Sequence, residues 1–105
     1  MAKPTPKVKR VVAISDLHCG HRVGLTPPDY QSHSPSMEKW QSIREACWNA
    51  YAELVESLKP IDALLVLGDC IDGRGERSGG NELLTADRVE QCDMAEYAIN
   101  LWKLS

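Results

Sequence analysis

At 105 residues, a formal charge of −3 and 43% hydrophobic content, the chain has material for one small domain with a packed core, which excludes both a two-domain architecture and wholesale disorder. The mild acidity argues against a strongly basic nucleic-acid-binding surface, while leaving nucleic acid open as a substrate. No apolar run approaches the ~18 residues that span a bilayer, and the basic N-terminal stretch leads only into the short apolar run Val11 to Ile14. Neither a membrane span nor a secretory signal is expected, and the chain reads as cytoplasmic.

Residues 1–7 carry Pro4 and Pro6 and read as a loose leader, with Lys3, Lys7, Lys9 and Arg10 forming a solvated basic cluster around it. A partial domain over 8–105 follows. Its first strand, 8–15, contains the continuous run Val11-Val12-Ala13-Ile14, the pattern of a strand buried on both faces. A loop over 16–35 includes the proline-rich stretch 25–36, of a kind that often covers a site or meets a partner. Ser34 as N-cap and Pro35 in the first turn open a helix over 36–58. Trp40, Ile43, Cys47, Tyr51, Leu54 and Leu58 recur at steps of three and four and are expected to face the sheet, with Trp48 off that stripe. Pro60 stops the helix, a second strand spans 61–68, and a glycine-rich loop covers 69–84. Thr85 is the expected N-cap of a second helix over 85–103, with Val89, Cys92, Ala95, Ile99 and Trp102 on one face. Strand, helix and strand make a parallel βαβ unit with a right-handed crossover, so the fold class is α/β.

Both strands end in metal-ligating residue types. Ser15-Asp16-Leu17-His18 places two donors two residues apart, and the spacing predicts that they point the same way. Gly68-Asp69-Cys70-Ile71-Asp72-Gly73 brings Asp69 and Asp72 to the same edge, with Gly68 and Gly73 allowing sharp turns. Ligands of open α/β sheets sit outside the carboxyl ends of the strands. Oxygen and nitrogen donors gathered there suit a divalent ion, and a carboxylate can bridge two. An Asp after a strand is also a common turn former, so it is the pairing of the two motifs that carries the reading. Cys19, Cys47, Cys70 and Cys92 include no Cys-x-x-Cys pair and read as reduced thiols, Cys19 and Cys70 lying beside the site.

Val-Ala-Ile-Ser-Asp-Leu-His and Leu-Val-Leu-Gly-Asp-Cys-Ile-Asp-Gly resemble the first two signature blocks of the calcineurin-like metallophosphoesterases. The resemblance implies the N-terminal βαβα portion of a metallophosphoesterase-type αββα sandwich, with an incomplete sheet. It implies that Asp16 and His18 bind a first metal ion, that Asp69 bridges to a second, and that Asp72 supports the site by orienting the loop or a histidine. Manganese is the expected ion, with iron, zinc or magnesium as alternatives, and the chemistry is hydrolysis of phosphate mono- or diesters by a two-metal-activated water. Arg74 is a candidate phosphate contact, one position later than the family places its arginine; Arg77, His21 and His33 read as solvated.

The family's third block, Gly-Asn-His with a following acidic residue, and its Gly-His-x-His block have no counterpart. Gly80-Asn81-Glu82 lacks the histidine, and no histidine follows His33. The catalytic residue is therefore unassigned. Three ligands serve two ions that take about four to six ligands each, so weak or single-site metal binding and little activity alone are expected. The chain is therefore expected to be an N-terminal fragment or split subunit, completed by a C-terminal chain carrying the missing histidines. A non-catalytic interaction module derived from the fold is the alternative, and a homodimer would only repeat Asp16 and His18.

Overall fold

The computed structural model describes residues 8–30, 35–73, 83–85 and 87–103. The leader 1–7, His33, Ser34, Arg74, Arg77 and Asn81 lie outside them. The elements run β1 (Val11–Ile14), α1 (Gln41–Leu58), β2 (Ala63–Val66) and α2 (Arg88–Asn100), with short 3-10 turns at Pro28–Tyr30 and Pro35–Trp40. The result is a mixed α/β fold with an incomplete sheet. No helix among the described residues is long and apolar enough to cross a membrane.

β1 and β2 pair in parallel, in the register Val11↔Ala63 through Ile14↔Val66. A reciprocal clamp fixes that register at the start. The Arg10 N–H donates to Asp62 Oδ2 at 2.6 Å, and the Asp62 N–H donates back to the Arg10 carbonyl at 2.7 Å. The Arg10 guanidinium reaches on to the Leu58 carbonyl at the end of α1.

The strands are not buried on both faces, contrary to their apolar runs: Val11 is 57% exposed, Leu65 51% and Leu67 67%. Among the described residues the sheet has two strands, and the core forms elsewhere. It lies past the strand ends, where Leu17, Cys19, Leu84, Met94 and Ala95 pack together with Ile14, Leu25, Tyr30, Cys70, Ile71 and Ile99 around them. Thr26 and Pro27, from the proline-rich stretch, are also buried, so its first part packs into the body.

Helix α1 is turned relative to its expected stripe, and α2 only in part. On α1 the buried residues are Arg44, Trp48 and Val55, while Ile43, Cys47 and Leu54 are exposed. On α2 they are Gln91, Met94, Ala95 and Ala98, while Val89 and Cys92 are exposed. On α1 the buried face sits one residue toward the C-terminus, a rotation of about 100°; on α2 Ala95 and Trp102 of the expected face are buried and Ile99 packs against the core, while the buried set also takes in Gln91, Met94 and Ala98, one residue toward the N-terminus. The cause is that the helices pack on each other. Trp48 lies 5.7 Å from the rings of both Tyr51 and Tyr97, and Tyr51 meets Trp102 edge-on at 6.4 Å. Tyr51 Oη donates to the Ala98 carbonyl at 2.6 Å and accepts from Trp102 Nε1 at 3.0 Å. Burial pushes the Tyr51 pKa above its ordinary value, with the Trp102 hydrogen bond acting against that shift. Lys59 Nζ, just past α1, donates to the Leu101 carbonyl at 3.0 Å, a cation placed at the negative end of α2.

The helix starts also differ from expectation. Residues Pro35–Trp40 form a 3-10 turn, and α1 begins only at Gln41 with no side-chain cap on Trp40. Asp87, not Thr85, caps α2, accepting from the N–H groups of Val89 (3.0 Å) and Glu90 (3.4 Å). Thr85 stands behind it, its Oγ1 accepting from the Asp87 N–H at 3.2 Å.

Candidate metal centre

The ladder does not stop where the strands do. Leu67 N–H donates to the Ile14 carbonyl (2.9 Å), Asp16 to Gly68 (3.2 Å), His18 to Asp69 (2.9 Å), Cys19 to Cys70 (3.0 Å) and Asp72 back to Cys19 (3.0 Å). The two post-strand loops are thus stitched together, and this brings residues more than fifty positions apart into one register.

Within the stitched loops Asp16 (φ 61°), His18 (φ 46°) and Asp69 (φ 54°) all occupy the left-handed region. For a residue with a Cβ this costs about 1–2 kcal/mol, least for Asp, Asn and His. The common direction of Asp16 and His18 therefore comes from left-handed turns beyond Ile14, and not from strand alternation. Leu17 and Cys19, the residues between and after them, go the other way into the core. Gly24 makes the return of the loop possible: a Cβ there would lie 2.0 Å from the His18 carbonyl oxygen.

One ligand atom each from Asp16, His18 and Asp69 lies within 4.8 Å of the other two. Donors to one ion of this kind sit about 2.0–2.2 Å from it, so no two exceed roughly 4.4 Å. The trio lies close to that limit, with His18 Nε2 and Asp16 Oδ1 well inside it at 3.5 Å. His18 Nδ1 is 3.1 Å from Asp72 Oδ1, and Nε2 is 3.5 Å from Asp16 Oδ1. Asp72 is thus behind the imidazole and Asp16 in front of it, and Asp72 is the more enclosed of the two. Ser15 Oγ donates to Asp16 Oδ2 at 2.8 Å. That hydrogen bond first, then the Asp69 side chain, hold the Asp16 carboxyl below its ordinary pKa; desolvation opposes them, and His18 adds a lesser lowering effect. Two carboxylates and an imidazole facing one point form a donor set that fits a hard or borderline divalent cation.

The cysteines beside the site differ. Cys19 is fully buried, and burial foremost, with the nearby Cys70 thiol adding, pushes its pKa up to about 12, which keeps it an unreactive thiol. His21 is held in the turn: its N–H donates to the His18 carbonyl at 3.0 Å, and its Nδ1 accepts from the Val23 N–H at 3.2 Å. Arg74 lies outside the described residues.

One residue of the site region is absent from the sequence-level expectations. Gln91 of α2 is buried, and its carboxamide reaches the second loop: Nε2 donates to the carbonyls of Gly73 and Thr85 (both 2.8 Å), and Oε1 accepts from the Gly73 N–H at 2.9 Å. A polar residue in step with Met94, Ala95 and Ala98 was the available signal.

The family model for calcineurin-like phosphoesterase matches residues 9–103. No curated protein and no solved structure matches the chain.

Proposed function

The chain belongs to the calcineurin-like phosphoesterase family, and from that membership we propose that it is a metal-dependent hydrolase of phosphate esters whose ions are held by Asp16, His18 and Asp69. The observation that carries this reading is the convergence of the three donor atoms within 4.8 Å on loops bonded to each other. A divalent cation bound there supplies a Lewis acid that polarises a phosphoryl oxygen and activates water near neutral pH.

The surrounding residues prepare that point. The Asp72 carboxylate fixes the His18 ring through Nδ1 and leaves the Nε2 lone pair for a ligand role. The Ser15 hydroxyl favours the ionised form of Asp16. Asp69 is the residue assigned to bridge two ions, manganese is the assigned metal, and Arg74 is the assigned phosphate contact. Substrates are phosphate mono- or diesters, nucleic acid included. Two ions take about four to six ligands each, so the reading includes a complementary chain or segment that adds imidazoles. The exposed apolar residues Leu65, Val66 and Leu67 on β2 and just past it support such a partner. The cytoplasm is the proposed compartment, in keeping with four free thiols.

The test combines Mn²⁺ binding with hydrolysis of a generic phosphomonoester and phosphodiester, in the wild type, Asp16→Ala and Asp69→Asn. The expected result is weak Mn²⁺ binding that both substitutions abolish, with slow or no turnover by the chain alone. Binding indifferent to both substitutions refutes the site. A folded chain that binds no Mn²⁺ favours an interaction module built on the same fold.

A further inference from the structure

We infer that Gln91 is a positioning residue for His18, acting through Gly73 and Asp72; the inference rests on the reading of Asp16, His18 and Asp69 as metal ligands. The carboxamide takes hold of Gly73 at both of its backbone groups, N–H to Oε1 at 2.9 Å and carbonyl to Nε2 at 2.8 Å. A planar amide paired with both backbone groups of one residue leaves that residue little freedom to rotate. Gly73 is bonded to Asp72, and Asp72 Oδ1 stands 3.1 Å from His18 Nδ1. The chain of restraint therefore runs from α2, through one peptide unit, to the imidazole.

Two further observations place Gln91 against the first loop as well. Gly20 adopts φ +104°, and a Cβ on it would come within 2.4–2.5 Å of the Gln91 side chain, so the loop lies directly on the carboxamide. The Gly20 carbonyl also accepts from the Leu84 N–H at 2.6 Å, next to Thr85, whose carbonyl takes the second Nε2 bond at 2.8 Å. A fully buried amide is costly unless its groups are satisfied. Here all three bonds go to backbone that flanks the site, and a hydrophobic residue of the same size would fill the space without making any of them.

The test uses the full chain, ¹⁵N-labelled, with Zn²⁺ as a diamagnetic probe ion. Gln91→Met keeps the volume and removes the three hydrogen bonds. In metal-free protein the His18 ring nitrogen resonances are expected to move toward those of Asp72→Asn, a change that simple loss of packing would not produce. Zn²⁺ affinity, read by calorimetry, is expected to fall about tenfold to a hundredfold. The Gln91→Met/Asp72→Asn double variant should lose no more than the weaker-binding single variant. Wild-type His18 resonances in folded Gln91→Met, or losses that multiply in the double variant, overturn the inference. If Gln91→Met does not fold, amide exchange at Gly73 in the wild type decides: saturating Zn²⁺ slows it if clamp and site are coupled, and unchanged exchange overturns the coupling. Zn²⁺ binding indifferent to Asp69→Asn would instead overturn the ligand assignment, while the metal-free His18 signature still decides the role of Gln91.

Discussion

Replacing Tyr51 with Phe removes one oxygen and leaves the ring. That oxygen has two partners inside the α1–α2 interface: it donates to the Ala98 carbonyl at 2.6 Å and accepts from Trp102 Nε1 at 3.0 Å. Ala98 lies in the last turn of α2, where carbonyls lack intrahelical partners, and Trp102 is 2% exposed, so water cannot easily take over either role. A buried polar group left unpaired costs about 1–3 kcal/mol, so two such groups, with partial relaxation, cost roughly 2–4 kcal/mol. That is a large share of the ~5–15 kcal/mol that holds a domain together. With an m value of about 1.5 kcal/mol/M for so small a chain, the urea midpoint falls by roughly 1.3–2.7 M. The assay is urea unfolding followed by far-ultraviolet circular dichroism and by tryptophan fluorescence. Tyr97→Phe is the control, since Tyr97 is 45% exposed and is expected to stay within about 0.5 kcal/mol of the wild type. A Tyr51→Phe variant as stable as the control would refute the account of how the helices are joined.

Gly24→Ala drives a methyl group into the His18 carbonyl, and the backbone has to move; a loss of about 1–3 kcal/mol in urea unfolding is expected, along with weaker Mn²⁺ binding by calorimetry. Native protein at pH 8 is expected to react with a thiol reagent first at the exposed Cys47 and Cys92, with Cys19 labelled only on unfolding. Because the folded pKa of Cys19 is raised from 9.0 to about 12, its contribution to stability is fully present below pH 9 and is lost as pH rises toward 12. Urea midpoints between pH 8 and pH 11 should therefore fall more steeply for the wild type than for Cys19→Ala, and parallel curves would refute the assignment.

The candidate donors were legible because their chemistry is local. An apolar run that ends in Asp16-x-His18, and another that ends in Asp69-x-x-Asp72, announce donors at strand ends whatever covers the sheet. The Asp72 contact with His18 is the arrangement that the family resemblance implied. The helix faces were legible only in part, with Ala95, Ile99 and Trp102 inside as expected, because a periodic stripe says that a helix has a buried side but not which neighbour claims it. Ile43, Cys47 and Leu54 fit a sheet-facing stripe, yet Trp48 and Tyr51 find larger aromatic partners in Tyr97 and Trp102, and the helix turns toward them. Gln91 escaped notice for a related reason: a polar residue interrupts an apolar pattern, and only the backbone groups it meets reveal why it is inside. The apolar runs of β1 and β2 suggested burial on both faces, which two strands cannot provide by themselves.

The parallel pairing has a consequence for the order of folding. Arg10 and Asp62, whose clamp starts the register, are separated by 52 positions, and closing a loop of that length costs roughly 3.5 kcal/mol of chain entropy. Local contacts close at less entropic cost than such distant ones, so α1 needs less ordering of the chain than the β1–β2 pair does. Until β2 docks, Asp16 and His18 belong to a different part of the chain from Asp69, and no three-donor point exists. The candidate metal centre thus depends on that pairing, and an ion held by all three donors would favour the paired loops over the open chain.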